Sequence, residues 1–116
     1  MASDQFDLLC VGTRKYGLED AKATTERYRI DLAAKRWCYK ECDRTYNIYS
    51  VTPSAITLQQ EVGPELGSDG SVRVHEIDRS TGELDHYRRQ RSTGVTYEIK
   101  AACEQAPFSG MPKPRF

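Results

Sequence analysis

Four cysteines carry the most readable chemistry in the sequence. Cys38 and Cys42 are separated by three residues, whereas Cys10 and Cys103 lie near the two ends of the chain. The four side chains can be small buried apolar groups kept reduced, or they can form the disulfides Cys10–Cys103 and Cys38–Cys42. In a third hypothesis, Cys38 and Cys42 bind zinc, although a structural zinc site usually has a second closely spaced pair of ligands. The sequence leaves the first two states open and disfavours the third.

The pairing of Cys10 with Cys103 follows from the expected strands. Phe6, Leu8 and Cys10 share one face of a strand near the start of the chain, and Cys103 shares a face with Val95 at its end. Closing a meander into a barrel places the first and last strands side by side. A bond between the two cysteines would stabilise the fold by about 4 to 5 kcal/mol in the chain-entropy description.

The two histidines, His75 and His86, would complete the shell of a zinc site, and they are the only imidazoles available for acid-base chemistry. Each has a carboxylate beside it, Glu76 and Asp85, but adjacent residues of a strand point to opposite faces. We therefore expect two exposed histidines on the wet face of a hairpin. The chain has no nucleophile elbow, no phosphate-binding glycine loop and no His-Glu-x-x-His motif. The sequence predicts a non-enzymatic protein with no cofactor.

Aromatic and basic residues alternate in one stretch of the chain, and we take them as a candidate binding surface: Arg36, Trp37, Tyr39, Lys40, Arg44, Tyr46 and Tyr49. Small barrels bind single-stranded nucleic acid with such surfaces, but tyrosine and arginine are also ordinary residues at half-exposed strand positions. Trp37 follows an expected hairpin turn, as Leu84 follows another, so we also expect its ring to anchor the core. The preferred function is the binding of a protein or small-molecule ligand, through this surface or the barrel mouth. The alternatives are a metal- or redox-active Cys38–Cys42 pair and single-stranded nucleic-acid binding.

The elements that position these residues are strands joined by turns. The tetrapeptide Arg-Ser-Thr-Gly occurs at 79–82 and again at 91–94, as expected for an antiparallel meander. Strands are expected over 6–13, 26–32, 46–51, 56–62, 71–78, 83–90 and 95–103, with loops at 14–25 and 63–70. The sequence predicts an all-β fold, a small antiparallel up-and-down barrel or a strongly curved meander of about seven to eight strands; a sandwich is the alternative.

Two of the turns resemble each other. Residues 30–37 and 77–84 both run from an isoleucine and an aspartate through a short reversal to a large apolar residue. The aspartate can accept hydrogen bonds from the backbone amides that follow it, and Gly82 provides a positive φ. Lys35 occupies the position of Gly82 in the first turn. We predict a hairpin at each place.

Composition limits the function further. The 116 residues suit one domain, over 6–105, with a flexible N-terminus at 1–5 and a tail at 106–116 whose Phe108, Met111 and Phe116 either cap the sheet or fray. Seventeen basic and seventeen acidic side chains cancel, which argues against nucleic acid or an anionic membrane as a partner. No apolar stretch is long enough to span a bilayer, and no export leader is evident, so the cytoplasm is expected unless a leader has been removed.

The same neutrality permits self-association. A basic stretch at 27–49 on one copy can meet an acidic loop at 61–69 on another, and unpaired strand edges give a second route. Charged residues on an expected outer strand, Asp85, Arg88 and Arg89, oppose edge pairing. We predict a homodimer in preference to a monomer.

Several of these features together resemble a family of small bacterial proteins without a known activity. The residues that carry the resemblance are Phe6, Asp7, Cys10, Gly12, 28–32, 36–38, Cys42, 77–79, Thr81, Gly82, Cys103 and 107–110. The resemblance implies a bacterial source and leaves the function open. A looser, fold-level likeness to periplasmic lysozyme-inhibitor barrels rests on the early and late cysteines, but the chain lacks their Ser-Gly-containing inhibitory loop.

Overall fold

The computed structural model describes residues 4–61 and 71–112, and all regular structure within them is β-strand in a single antiparallel sheet. The all-β prediction is confirmed, with nine strands where about seven to eight were expected. They are β1 (Gln5–Tyr16), β2 (Lys22–Asp31), β3 (Arg36–Tyr39), β4 (Thr45–Asn47), β5 (Ser50–Val51), β6 (Ala55–Glu61), β7 (Val72–Asp78), β8 (Glu83–Arg89) and β9 (Thr96–Ala106).

The strand order shows why the sheet curls. The order is β4-β3-β2-β1-β9-β8-β7-β6-β5, so the first and last strands are neighbours at the centre and the two edges are β4 and β5. Only Ile48 and Tyr49 separate these edge strands in sequence. Both edges must therefore return to the same corner, and the sheet forms a curled half-barrel that stays open.

The core fills the concave face. Alternate residues of each strand point inward, as period 2 requires. The buried apolar residues are Phe6, Leu8, Cys10, Tyr28, Ile30, Trp37, Ile48, Ile56, Leu58, Ile77, Leu84, Ile99 and Ala101. The curl brings Tyr28 of β2 to His75 of β7, with 2.9 Å between Tyr28 Oη and His75 Nε2, although three strands separate β2 from β7 in the sheet.

The predicted bounds of the loop at 14–25 are wrong, because strands occupy both of its ends. β1 continues to Tyr16 and β2 begins at Lys22, so the reversal occupies only 17–21, around Gly17 at a φ of 58°. Most side chains of 13–16 and 22–25 are exposed on both faces, and the apolar alternation that identifies a strand is therefore missing there. The expected strand at 46–51 is divided into β4 and β5 at buried Ile48, whose amide donates to Lys35 O at 2.9 Å.

The two matching turns are confirmed as hairpins with the same register. Ile30 lies opposite Trp37, and Ile77 lies opposite Leu84. Each aspartate caps its turn: Asp31 Oδ1 accepts from the Ala34 amide at 3.0 Å, and Asp78 Oδ1 accepts from the Ser80 amide at 2.8 Å. The closing positions of the reversals have positive φ, 54° at Lys35 and 78° at Gly82.

The tail crosses the convex face. Asp7 lies between Phe6 and Leu8 and points away from the core, yet it is fully buried, because Ser109 donates to it through the amide at 3.1 Å and through Oγ at 2.7 Å. Arg29 Nη1 donates to Gly110 O at 2.9 Å. Hydrogen bonds from Ser109 and to Gly110 therefore hold this part of the tail against the convex face. Phe116, residues 1–3 of the expected N-terminal segment, the expected loop at 63–70 and all of the acidic loop at 61–69 except Glu61 lie outside the described residues.

Candidate functional site in the concave mouth

The expected placement of Cys10 and Cys103 on adjacent first and last strands is confirmed, and the oxidation state that the sequence left open is a disulfide. The two residues lie directly opposite each other on β1 and β9, with 3.9 Å between their Cα atoms. The Cys103 amide donates to Gly82 O, toward β8, so the cysteines occupy a non-hydrogen-bonded pair, where opposed side chains are closest. The first and last strands pair as expected, but the sheet is not a closed barrel, because it stays open between β4 and β5.

Cys38 and Cys42 form the second disulfide, and both are buried. Cys38 follows core residue Trp37 on β3 and therefore faces the convex side of the sheet, whereas His75 and His86 lie on the concave side. The structure does not bring together the four side chains of the zinc hypothesis. Among residues 4–61 and 71–112, no group of three or more histidine, cysteine, aspartate or glutamate side chains is placed to hold a metal.

The predicted aromatic and basic surface is divided by the sheet. Trp37 is buried, with its ring 4.9 Å from that of Tyr46, so its expected place in the core is confirmed and its side chain offers little surface to a ligand. Tyr39 points into the concave side, where its hydroxyl donates to Glu26 Oε2 at 2.5 Å. Arg36 is half-buried against Thr45. The exposed members of the set are Lys40, Arg44, Tyr46 and Tyr49; for these the binding role stays a prediction.

The expectation of two exposed histidines is wrong. His75 is buried, and its ring stacks on that of His86, with 4.0 Å between centroids and 4° between planes. The two residues lie directly opposite each other on β7 and β8. The sequence could have predicted that both histidines point inward, because Ile77 and Leu84 point inward and residues two positions away in a strand share the same face. His75 Nδ1 has no hydrogen-bond partner among the described residues.

The electrostatics of the mouth keep these rings neutral near pH 7. Burial, His86 and Arg73 hold the pKa of His75 well below its ordinary value. Burial and Arg73 lower the pKa of His86 to about 4. Burial raises the pKa of Tyr28 and that of Tyr39, and the hydrogen bond to Glu26 raises that of Tyr39 further.

One row of concave side chains forms the outer lip of the half-barrel, and we call it the mouth row. Paired positions on β6, β7, β8, β9 and β1 supply Glu61, Arg73, Arg88, Tyr97 and Tyr16. The row behind it, two residues further in on each strand, contains Gln59, His75, His86, Ile99 and Arg14. The sequence alone does not assemble these rows, because they depend on the exact registers between β6, β7, β8, β9 and β1.

The two arginines of the mouth row occupy directly opposed positions, and among the described residues only Glu61 supplies a carboxylate to them. Arg73 and Arg88 are directly opposite, an arrangement of like charges that destabilises a sheet. Arg73 Nη1 lies 3.6 Å from Glu61 Oε1, a distance longer than a good hydrogen bond. Arg88 has no ion pair or hydrogen bond within the part of the chain that the structure describes. Among residues 4–61 and 71–112, the Arg88 guanidinium therefore has no carboxylate partner, and it lies beside the Tyr97 ring of the mouth row.

Comparisons with known proteins identify no relative: no protein-family model, no curated protein and no solved structure matches the chain. The described residues include no helix of the length and apolar character needed to cross a membrane.

Proposed function

We propose that this protein is a binding module, not an enzyme, and that the mouth row receives an anionic group of its ligand. The observation that carries the proposal is the direct opposition of Arg73 and Arg88 on the concave face. A carboxylate or phosphate between two guanidinium groups relieves their repulsion and accepts bidentate hydrogen bonds from each fork. An anion is thus the ligand that this arrangement of charges favours.

The state of the neighbouring titratable groups supports binding over catalysis. General acid-base catalysis is most efficient when a pKa lies near the working pH. The pKa values of His75, His86, Tyr28 and Tyr39 are all shifted away from neutrality. Glu26 is occupied as an acceptor, from Tyr39 at Oε2 and from Thr24 at Oε1. The two histidines and the two tyrosines therefore keep a single protonation state near pH 7.

Calorimetric titration with inorganic phosphate and with citrate tests the proposal. We expect one anion per chain, and a loss of at least tenfold in affinity for Arg88→Gln and for Arg73→Gln, since a hydrogen bond to a charged group contributes about 1.5 to 3 kcal/mol. Arg89→Gln is the matched control, because Arg89 follows Arg88 on β8 but is exposed and points to the convex side. Equal losses in Arg89→Gln and Arg88→Gln, or no binding by the wild-type chain, would refute the proposal.

A second readout distinguishes the mouth from a remote site. Arg73 contributes to the low pKa of His86, so an anion held by Arg73 opposes that effect and should raise the pKa of His86 from about 4. An NMR titration of the imidazole resonances with and without citrate measures the shift. An unchanged His86 pKa in the presence of bound citrate would place the anion elsewhere.

The compartment and assembly are also proposals. Two disulfides support an oxidising compartment, which departs from the cytoplasm expected from the sequence. The homodimer would use the exposed edges β4 and β5, because β8, whose Asp85, Arg88 and Arg89 were expected on an outer strand, lies inside the sheet. Sedimentation at low and high salt tests the dimer, and a monomer at all concentrations would exclude it.

A further inference from the structure

A pocket of about 340 Å³ opens beside Arg88, between the ends of β1, β8 and β9. Its walls are Tyr16, Arg88, Gln90, Val95 and Tyr97. We propose that this pocket holds the planar apolar body of a small organic acid whose carboxylate pairs with Arg88. The inference rests on the proposed anion site and adds the chemical class of its ligand.

The size and walls of the pocket favour a small molecule. Its volume lies at the lower end of the range of ligand pockets and corresponds to about eleven water molecules. Two tyrosine rings and a valine provide apolar surface, and one cation and one amide provide polar contacts, the mixture typical of such sites. A ligand of one ring and one carboxylate matches both the volume and the polarity.

The aromatic wall is held in place by other rings. Tyr16 and Tyr97 are opposite each other on β1 and β9 and meet edge to face, with 6.3 Å between centroids. The His86 ring meets Tyr97 edge to face from the row behind, at 5.9 Å. An aromatic ligand can stack on or abut such rings, which favour offset and edge-to-face contacts.

The backbone around the pocket is fixed by hydrogen bonds. The Gly17 amide donates to Thr96 O at 2.7 Å, and the Gln90 amide donates to Val95 O at 2.9 Å. Thr93 Oγ1 donates to Gln90 Oε1 at 3.2 Å. This bond orients the side-chain amide of Gln90 and leaves its Nε2 as a donor toward a second ligand oxygen. A pocket ordered before binding loses less entropy when the ligand enters.

The test compares three probes by ¹H–¹⁵N correlation NMR at pH 7: benzoate, acetate and benzyl alcohol. We expect benzoate to bind at least tenfold more tightly than acetate, which lacks the ring, and than benzyl alcohol, which lacks the charge. The largest shifts should occur at Val95, Tyr97 and the side-chain amide of Gln90. Arg88→Gln should weaken benzoate binding at least tenfold, and Arg89→Gln should leave it unchanged.

A second variant separates the pocket from the anion site. Tyr16 is 53% exposed, so Tyr16→Leu should fold, weaken benzoate severalfold and leave acetate unaffected. If benzoate binds no better than acetate while both depend on Arg88, the pocket inference is overturned and the anion site stands. If Arg88→Gln leaves benzoate binding intact, the assignment of its carboxylate is overturned. Failure of both benzoate and acetate to bind would overturn the inference together with the proposed function.

Discussion

Removing the Cys10–Cys103 disulfide should destabilise the protein more than removing Cys38–Cys42. The first pair is separated by 93 residues in sequence and the second by 4. The loop-entropy scaling gives about 4 to 5 kcal/mol for the long loop and about 2 kcal/mol for the short one. Packing opposes this order, because Cys38 and Cys42 are both buried whereas Cys103 is only half-buried. The order of the two effects therefore distinguishes loop entropy from packing.

The assay is thermal unfolding of the two double-alanine variants, followed by circular dichroism. At roughly 4 °C per kcal/mol for a chain of this size, the midpoint should fall by about 15 to 20 °C without Cys10–Cys103 and by about 8 °C without Cys38–Cys42. Reductant should lower the wild-type midpoint and have no effect on a variant without cysteines. Equal losses, or a larger loss without Cys38–Cys42, would refute the reasoning from loop length.

Three further predictions concern stability. Gly12→Ala should lower the free energy of unfolding, measured by chemical denaturation, by more than 3 kcal/mol, because the new Cβ would lie 2.5 Å from a backbone atom of β9. Gly94→Ala is the control: its Cβ would meet nothing within 4 Å, but its φ of +69° should make the substitution cost about 1 to 2 kcal/mol. Equal losses in the two variants would contradict the tight contact between β1 and β9. Lowering the pH from about 6.5 to about 4 should remove up to about 3 kcal/mol, since the unfolded chain binds protons there before His86 can. A variant with glutamine at both His75 and His86 should lose most of this slope above about pH 5, where aspartate carboxyls stay ionised in both states. An unchanged slope in that variant would contradict the assignment. Asp7→Asn should cost about 2 to 3 kcal/mol, because this buried carboxylate accepts hydrogen bonds from two other residues, and a loss below 1 kcal/mol would show that the tail contributes little.

Local sequence features predicted the hairpins well. The aspartate caps and positive-φ positions of the turns at 30–37 and 77–84 act over a few residues, so sequence alone locates them. The order of the strands in the sheet cannot be located from such local features. The central pairing of β1 with β9 joins residues far apart in sequence; it was expected from a meander that brings its first and last strands together, whereas the opening between β4 and β5 was not predicted.

The candidate site shows the same division. That His75 shares a face with Ile77 follows from period 2, and its burial could have been predicted from the sequence. Its hydrogen bond with Tyr28 could not, because it depends on how strongly the sheet curls between β2 and β7. Likewise, the opposition of Arg73 and Arg88 requires the β7–β8 register, which the turn at 79–82 sets. The aromatic and basic stretch around Trp37 was the more visible pattern, yet the sheet buries its central ring.

A crystal soaked with selenate tests the central claim most directly, because the anomalous signal of selenium locates an anion without assuming where it binds. The account predicts the strongest selenium peak in the concave mouth, within hydrogen-bond distance of the guanidinium groups of both Arg73 and Arg88. Peaks confined to exposed basic residues of the convex face, with none in the mouth, would contradict it.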